Sequence, residues 1–259
     1  MTARELVAFP AGYRPAADAL RGRVVLVTGA NGGLGAAAAR AAAAAGATVV
    51  LLGRKVRAIE RLYDALREAG GPEPAIYPLD LEGASPADYE QLAATLAREY
   101  GRLDGILHAA AHFEGLTPLA LVAPEEWLRA LHVNLGAAMV LTRACLPLLQ
   151  QAPDASVVFV LDDRGAVERA HWGGYAVAKA GLYALIRIWG DELEKSPVRI
   201  CGLLPGPMRT ALRARAWFAE NPQEVPDPAI YAPACIYLLG PDGAAVRGAV
   251  LDARALGMD

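Results

Sequence analysis

The chain has 259 residues, 54% of them hydrophobic and 20% charged, with a formal net charge of −3. That length can bury one large α/β core or two small ones, and the charge balance leaves no basic footprint for nucleic acid. Three cysteines, Cys145, Cys201 and Cys235, lie far apart and are odd in number, which argues against a disulfide scaffold and for a reducing cytoplasm.

In chain order, Pro10, Arg14, Pro15 and Asp18, with Arg4 and Glu5 before them, interrupt any signal-peptide core, so 1–21 reads as an N-terminal extension. Short β-branched runs then alternate with helical patterns. Strands are expected at Val24–Thr28, Thr48–Leu52, Ala75–Tyr77, Gly105–His108, Ser156–Leu161, Val198–Leu204 and Val246–Leu251. Helices are expected at Leu34–Ala45, Lys55–Ala69, Pro86–Tyr100, Pro124–Leu149, Tyr175–Glu194 and Pro228–Leu239, with Ser85-Pro86 reading as an N-cap followed by Pro in the first helical position. Most strand runs are continuously apolar, which suits strands covered on both faces. Strict alternation implies parallel strands with right-handed crossovers. The expected fold is therefore a single α/β domain over 1–259, a Rossmann-type doubly wound parallel sheet of about seven strands flanked by helices. The apolar tract Ala36–Ala45 is too short to span a bilayer and contains Arg40, so no membrane partner is expected. The long irregular stretch 205–228, rich in Pro and Arg, reads as a lid or binding loop.

The run from Val24 to Lys55 joins strand, glycine turn, alanine-rich helix and second strand. Its glycines, Gly29, Gly32, Gly33 and Gly35, let the backbone turn sharply and approach a diphosphate, whose charge the first helical N–H groups stabilise. No Lys-Ser/Thr follows them, which excludes a phosphate-binding loop of the nucleotide-triphosphatase kind. At the end of the second strand, Gly53 is followed by Arg54 and Lys55, with no carboxylate to accept the ribose hydroxyls. Two cations there favour a 2′-phosphate, hence NADP over NAD.

The sequence resembles the short-chain dehydrogenase/reductase family from Val24 to Ala253. The motifs are Thr28-Gly29-Ala30-Asn31-Gly32-Gly33-Leu34-Gly35, Asp80 in "YPLDLE", Asn134 in "LHVNLGA", Tyr175 with Lys179, and Pro205-Gly206 with Thr210 downstream. A lone Tyr-x-x-x-Lys is weak; five motifs in order at family spacing are specific. The resemblance implies cofactor contacts at Thr28, Gly29, Asn31, Gly32, Gly33, Leu34, Gly35, Arg54, Lys55, Asp80, Leu81, Ala109, Ala110, Tyr175, Lys179, Pro205, Gly206 and Thr210. It implies that Thr210 binds the nicotinamide amide, that Lys179 bonds the nicotinamide ribose, and that Asn134 holds a water joining Lys179 to solvent. Tyr175 and Lys179 share one helical face, and an adjacent ammonium would lower the phenol's pKa from about 10. In reduction Tyr175 would donate a proton as hydride reaches a carbonyl carbon; in oxidation it would remove one from the alcohol.

Two departures stand out. The family's catalytic serine lies thirteen residues before the tyrosine, where this chain has Asp162, followed by Asp163. An ionised carboxylate cannot donate to the substrate oxygen. Three readings remain open: Asp162 is protonated and donates, it is ionised and accepts from a substrate hydroxyl, or reduction has been lost. A one-residue slip would turn Asp163 inward instead. At the fourth strand His108-Ala109-Ala110-Ala111 replaces the family's Asn-Asn-Ala-Gly, so Ala111 crowds the cofactor ribose and Ala109 lacks a strand-tying amide.

The four histidines, His108, His112, His132 and His171, have no ligand spacing, so no metal is expected. His171 could line the substrate mouth, and Arg164 and Arg169 could offset the aspartates. Arg209, Arg213 and Arg215 beside Trp217 and Phe218 could form a lid with cations for an anionic handle, or merely a short amphipathic helix. Apolar residues on the helices carrying Asn134 and Tyr175 (Met139, Val140, Leu141, Leu182, Leu185, Ile186, Ile188, Trp189) imply, by the resemblance, a homodimer or homotetramer. The expected activity is NADP-dependent hydride transfer between nicotinamide and a small-molecule carbonyl or secondary alcohol. The alternative is a catalytically silent NADP-binding or regulatory protein.

Overall fold

The computed structural model describes residues 6–257. Eight parallel strands form one sheet: β1 Leu6–Ala8, β2 Val24–Thr28, β3 Thr48–Gly53, β4 Ala75–Pro78, β5 Gly105–His108, β6 Ala155–Val160, β7 Val198–Leu204 and β8 Val250–Asp252, in the order β1-β8-β7-β6-β5-β2-β3-β4. The eighth strand is β1, within the stretch read as an extension. Its Leu6 aligns with Val250 at the sheet edge. Three residues are too few to carry a legible alternation.

The helices are α1 Gly33–Ala44, α2 Val56–Glu68, α3 Pro86–Tyr100, α4 Pro124–Leu131, α5 Ala137–Leu149, α6 Arg164–Val167, α7 Gly173–Glu192, α8 Ala211–Ala216 and α9 Ala232–Leu239. They cover both sheet faces. On β2, Val25 and Val27 join the core beneath α1, α2 and α9, while Val24 and Leu26 join the core beneath α3, α5 and α7. This two-sided burial explains the unbroken apolar strands. Ala38, Ala39, Ala42 and Ala43 are the buried face of α1, small enough for close helix–sheet approach. Ser85 caps α3 reciprocally with Asp88, and Pro86 begins it, as the sequence signal implies.

Several boundaries moved. The helix expected over Pro124–Leu149 is interrupted by a wide turn, His132–Gly136, where Ala137 N–H donates to the His132 carbonyl. By length and composition alone this stretch could cross a membrane. Here Leu141, Cys145 and Leu148 pack it on the sheet. The last expected strand begins at Val250, because Pro241–Val246 forms a short 3-10 turn. Far from the strands' carboxyl ends, Arg199 is buried and pairs with Asp154 (2.8 Å), which also accepts from Arg23 at 2.6 Å.

Sheet order reverses between β2 and β5. The crevice beyond their carboxyl ends is where an open α/β sheet binds its ligand.

Candidate active site

The glycine turn lies at this reversal. Gly29 has φ 63°, the left-handed region, and a Cβ there would stand 2.7 Å from the Ala110 Cα. A Cβ on Gly33 would meet Thr210 Cγ2 at 2.9 Å and Pro228 Cγ at 3.0 Å, so the segment after β7 closes over the turn. The α1 amino terminus has neither a side-chain cap nor an acidic residue in its first turn. Its opening N–H groups, at Gly33, Leu34 and Gly35, have no intrahelical partner and suit an anion. A backbone cradle at an uncapped helix start fits the diphosphate of a dinucleotide.

Around this cradle the other residues implied as cofactor contacts fall into place unevenly. Asn31 lies against Gly53 at the end of β3, where a Cβ would meet its Oδ1 at 2.9 Å. Arg54 reaches back to Asp80 (3.8 Å) and Glu82 (3.5 Å), all three solvent-accessible, and Lys55 is the exposed residue preceding α2. Asp80 closes a turn by accepting from Glu82 N–H, and Leu81 is buried beside the Asn134 cavity described below. Thr28 Oγ1 accepts from Ala110 N–H at 3.2 Å, tying β2 to the strand carrying Ala109 and Ala110. Thr210 caps α8 by accepting from Arg213 N–H. Gly206, after Pro205, faces the Tyr231 hydroxyl, where any Cβ would collide at 2.5 Å.

Beside the crevice Tyr175 and Lys179, on the first turns of α7, are each only 4% exposed. The Tyr175 hydroxyl donates to Asp162 Oδ2 at 2.8 Å. Asp162 Oδ1 accepts from Asp163 N–H at 2.9 Å, and the Asp162 carbonyl accepts from the Tyr183 hydroxyl at 3.1 Å. Burial raises the Asp162 carboxyl above its usual range, against the bond from Tyr175 and the charge of Lys179. Asp162 therefore lies at the tyrosine, and the one-residue slip is ruled out: Asp163 caps α6 through Gly165 N–H and pairs with Arg254 at 2.6 Å.

The expected acidification of Tyr175 by Lys179 does not occur. Burial, then the charge and hydrogen bond of Asp162, push the phenol well above its ordinary value. Lys179 donates to the Val160 carbonyl at 2.7 Å and lies 5.5 Å over the Tyr175 ring rather than at its oxygen. Burial lowers Lys179 to about 8, although Asp162 opposes this. The phenol in this arrangement keeps its proton.

Asn134 lies in the wide turn, and both its amide hydrogens are spent, on the His112 and Ala130 carbonyls (2.8 Å each), while Oδ1 accepts from His112 N–H. Its side chain is thus structural. A water-sized cavity lined by Asn134, Lys179, Thr28 and Ala110 lies beside it. His108 joins β5 to α5 and to β6. It bonds Thr142 Oγ1 at 2.8 Å and stacks on Phe159 at 4.8 Å, with burial lowering it to about 3 and keeping it neutral.

Other expectations changed. His171 is an exposed loop residue with φ 77°. Arg164 pairs with Glu168 and Arg169 donates to the Gly165 carbonyl, while Asp163 takes its ion pair from Arg254, beyond β8. Arg209 pairs with Asp227 and Arg213 with Glu220, so two of the three cations read as partners for an anionic handle are already neutralised, while Arg215 donates to the Phe113 carbonyl. His112 and Glu114, after β5, converge with Glu126 in the first turn of α4, a clustering their spacing conceals, but Glu126 also holds Arg129. Sequence reasoning also missed Phe113 and Trp172, whose rings lie 5.4 and 5.7 Å from that of Tyr175.

Residues 23–221 match the family model described as short chain dehydrogenase. The uncharacterized oxidoreductase YciK of Escherichia coli K12 is 36% identical over 242 residues, spanning 93% of this chain and 96% of that one. A solved structure from Pseudomonas syringae superposes with TM-score 0.90 at 44% identity, covering 93% of this chain and 98% of its own. A structure from Shigella flexneri 2a complexed with NADP superposes with TM-score 0.88 at 35% identity, covering 92% and 99%.

Proposed function

The chain belongs to the short-chain dehydrogenase family, and from that premise we propose that it is an NADP-dependent reductase of small-molecule carbonyl compounds, with Tyr175 as the acid and Asp162 as its proton reservoir. The observation that carries this is the 2.8 Å bond between the buried Tyr175 hydroxyl and the Asp162 carboxyl. NADPH bound in the crevice supplies hydride to the carbonyl carbon. Tyr175 gives its proton to the carbonyl oxygen, and a protonated Asp162 replaces it, so the phenol never has to persist as an anion in a buried site. A neutral carboxyl also removes the repulsion an ionised one would direct at the developing alkoxide.

Lys179 keeps a positive charge beside the pair, and the water-sized cavity between it and Asn134 offers a route for re-protonation. Arg54 and Lys55 supply the cations for a 2′-phosphate, and the relative complexed with NADP supports that choice. Arg54 would exchange its long contacts with Asp80 and Glu82 for a charge-assisted bond. A second copy of the chain would cover the exposed Leu128, Val177 and Ile188 of α4 and α7; Leu141, Leu182 and Ile186 are already buried in their own core.

The test is stoichiometric: NADPH oxidation against a panel of aldehydes and ketones, with the alcohol product measured. One alcohol formed per NADPH consumed is expected. NADPH binding without oxidation of any member would replace the reading with a silent dinucleotide-binding role.

A further inference from the structure

Four aromatic rings gather beyond the carboxyl ends of the strands, outside both layers of the core. Phe113 follows β5, Trp172 and Tyr175 open α7, and Trp217 ends α8. Phe113 stacks on Trp172 at 5.0 Å, and Trp172 contacts Trp217 at 5.1 Å. They form an apolar cluster of their own, joined to neither of the clusters that hold the sheet. An apolar wall with one convergent polar pair, Tyr175 and Asp162, is the composition of a small-molecule site.

We propose that this cluster is the subsite for an uncharged aryl carbonyl compound, and that the Trp217 indole holds the place of the substrate's ring until it binds. This deepens the reductase reading and rests on Tyr175 being the donor to a bound carbonyl. Trp217 is the one ring carried by a flap. Residues 209–226 leave the body and return where Arg209 N–H donates to the Pro226 carbonyl at 2.8 Å. Beyond the flap's base, Arg215 ties its tip to the body by donating to the Phe113 carbonyl at 2.9 Å. The adjacent Phe218 is 84% exposed, so moving the tip breaks little packing there. An incoming aryl ring would replace the contact of Trp217 with Trp172 like for like, at small net cost.

Charge narrows the class. The flap arginines Arg209 and Arg213 are neutralised by Asp227 and Glu220, and Arg215 is tied to the Phe113 carbonyl, so a carboxylate or phosphate on the substrate would have to draw Arg215 out of that bond. Two ring faces already carry cations, Arg213 over Trp217 at 4.3 Å and Lys179 over Tyr175 at 5.5 Å, which disfavours a cationic substrate.

The test uses the full chain with NADPH and three ketones: acetophenone, phenylglyoxylate (the same aryl ketone bearing a carboxylate) and butan-2-one. Acetophenone should have the highest kcat/KM, by about tenfold or more. Trp217→Ala should lower the KM for acetophenone about three- to tenfold, the worth of one ring pair, and leave that for butan-2-one unchanged. Trp217→Phe, which keeps a ring, should stay near wild type, and Trp172→Leu should raise the acetophenone KM with kcat largely kept. An unchanged or higher acetophenone KM in Trp217→Ala, folded by near-ultraviolet circular dichroism, overturns the place-holder. Preferred reduction of phenylglyoxylate or butan-2-one overturns the substrate class while leaving the reductase reading intact. Oxidation of NADPH by none of the three, nor by the wider carbonyl panel, sinks both.

Discussion

Asp162→Asn removes the titrating group that touches the Tyr175 hydroxyl while keeping its size. In the wild type the carboxyl is 2.8 Å from that hydroxyl, and burial raises its pKa despite Tyr175 and Lys179. A carboxyl with a raised pKa keeps its proton to a higher pH. If reduction needs that proton, kcat/KM with NADPH is greatest in acid and falls as pH climbs through the Asp162 pKa, about tenfold per pH unit beyond it. A second loss is expected near 8, where Lys179 discharges. The Asn variant should lose the first step and keep the second. It should also be the more stable protein at neutral pH. Because the folded state holds a proton that the unfolded chain releases above about 3.9, wild-type stability drops between the unfolded and folded pKa values, by about 1.4 kcal/mol for each tenfold difference in proton affinity. Each kcal/mol recovered should raise Tm by about 2–4 °C. Steady-state rates in constant-ionic-strength buffers and thermal unfolding of both proteins measure this. A wild-type rate that does not rise toward acid pH, or an acid step surviving in Asp162→Asn, would refute the reasoning.

Three further outcomes are expected. Tyr89 is fully packed and its hydroxyl is the buried side-chain polar atom without a partner among the described residues, so Tyr89→Phe should raise unfolding free energy by about 1 kcal/mol in denaturant titration. The Asp154 carboxyl is pushed up by burial but held below its usual value overall by Arg199 and Arg23, so its contribution is complete above about 3.9 and disappears as pH falls through the folded value. Asp154→Asn strands the buried Arg199 and should cost about 2–4 kcal/mol at neutral pH, an amount that shrinks in acid; equal losses at both pH values would count against this. Arg54→Glu should weaken NADPH binding by about tenfold to a hundredfold in fluorescence titration and narrow the gap to NADH, whereas unchanged affinity would remove Arg54 from the cofactor site.

The fold was legible because its signals are local. Unbroken apolar strands, the glycine turn and the Ser85-Pro86 helix start each declare themselves within a few residues, and all are found where expected. β1 was not, since three residues pair with β8 from more than two hundred positions away. The site divides in the same manner. The positions of Tyr175, Lys179 and Asp162 on one side of the crevice follow from helix and strand register. What those residues do to one another does not, because it depends on burial: Lys179 turned to the Val160 carbonyl, and burial together with Asp162, not the ammonium, raises the tyrosine's proton affinity. Asp163 looked equivalent to Asp162 until a short helix and Arg254 claimed it. The aromatic cluster draws one or two rings from each of three separate segments, and no single window contains it.

The account depends most on the proton of one phenol. Single-turnover oxidation of NADPH with a reducible carbonyl compound should slow by about a hundredfold or more in Tyr175→Phe, while NADPH affinity stays at the wild-type value. A Tyr175→Phe protein that binds NADPH normally and turns over at the wild-type rate would contradict it.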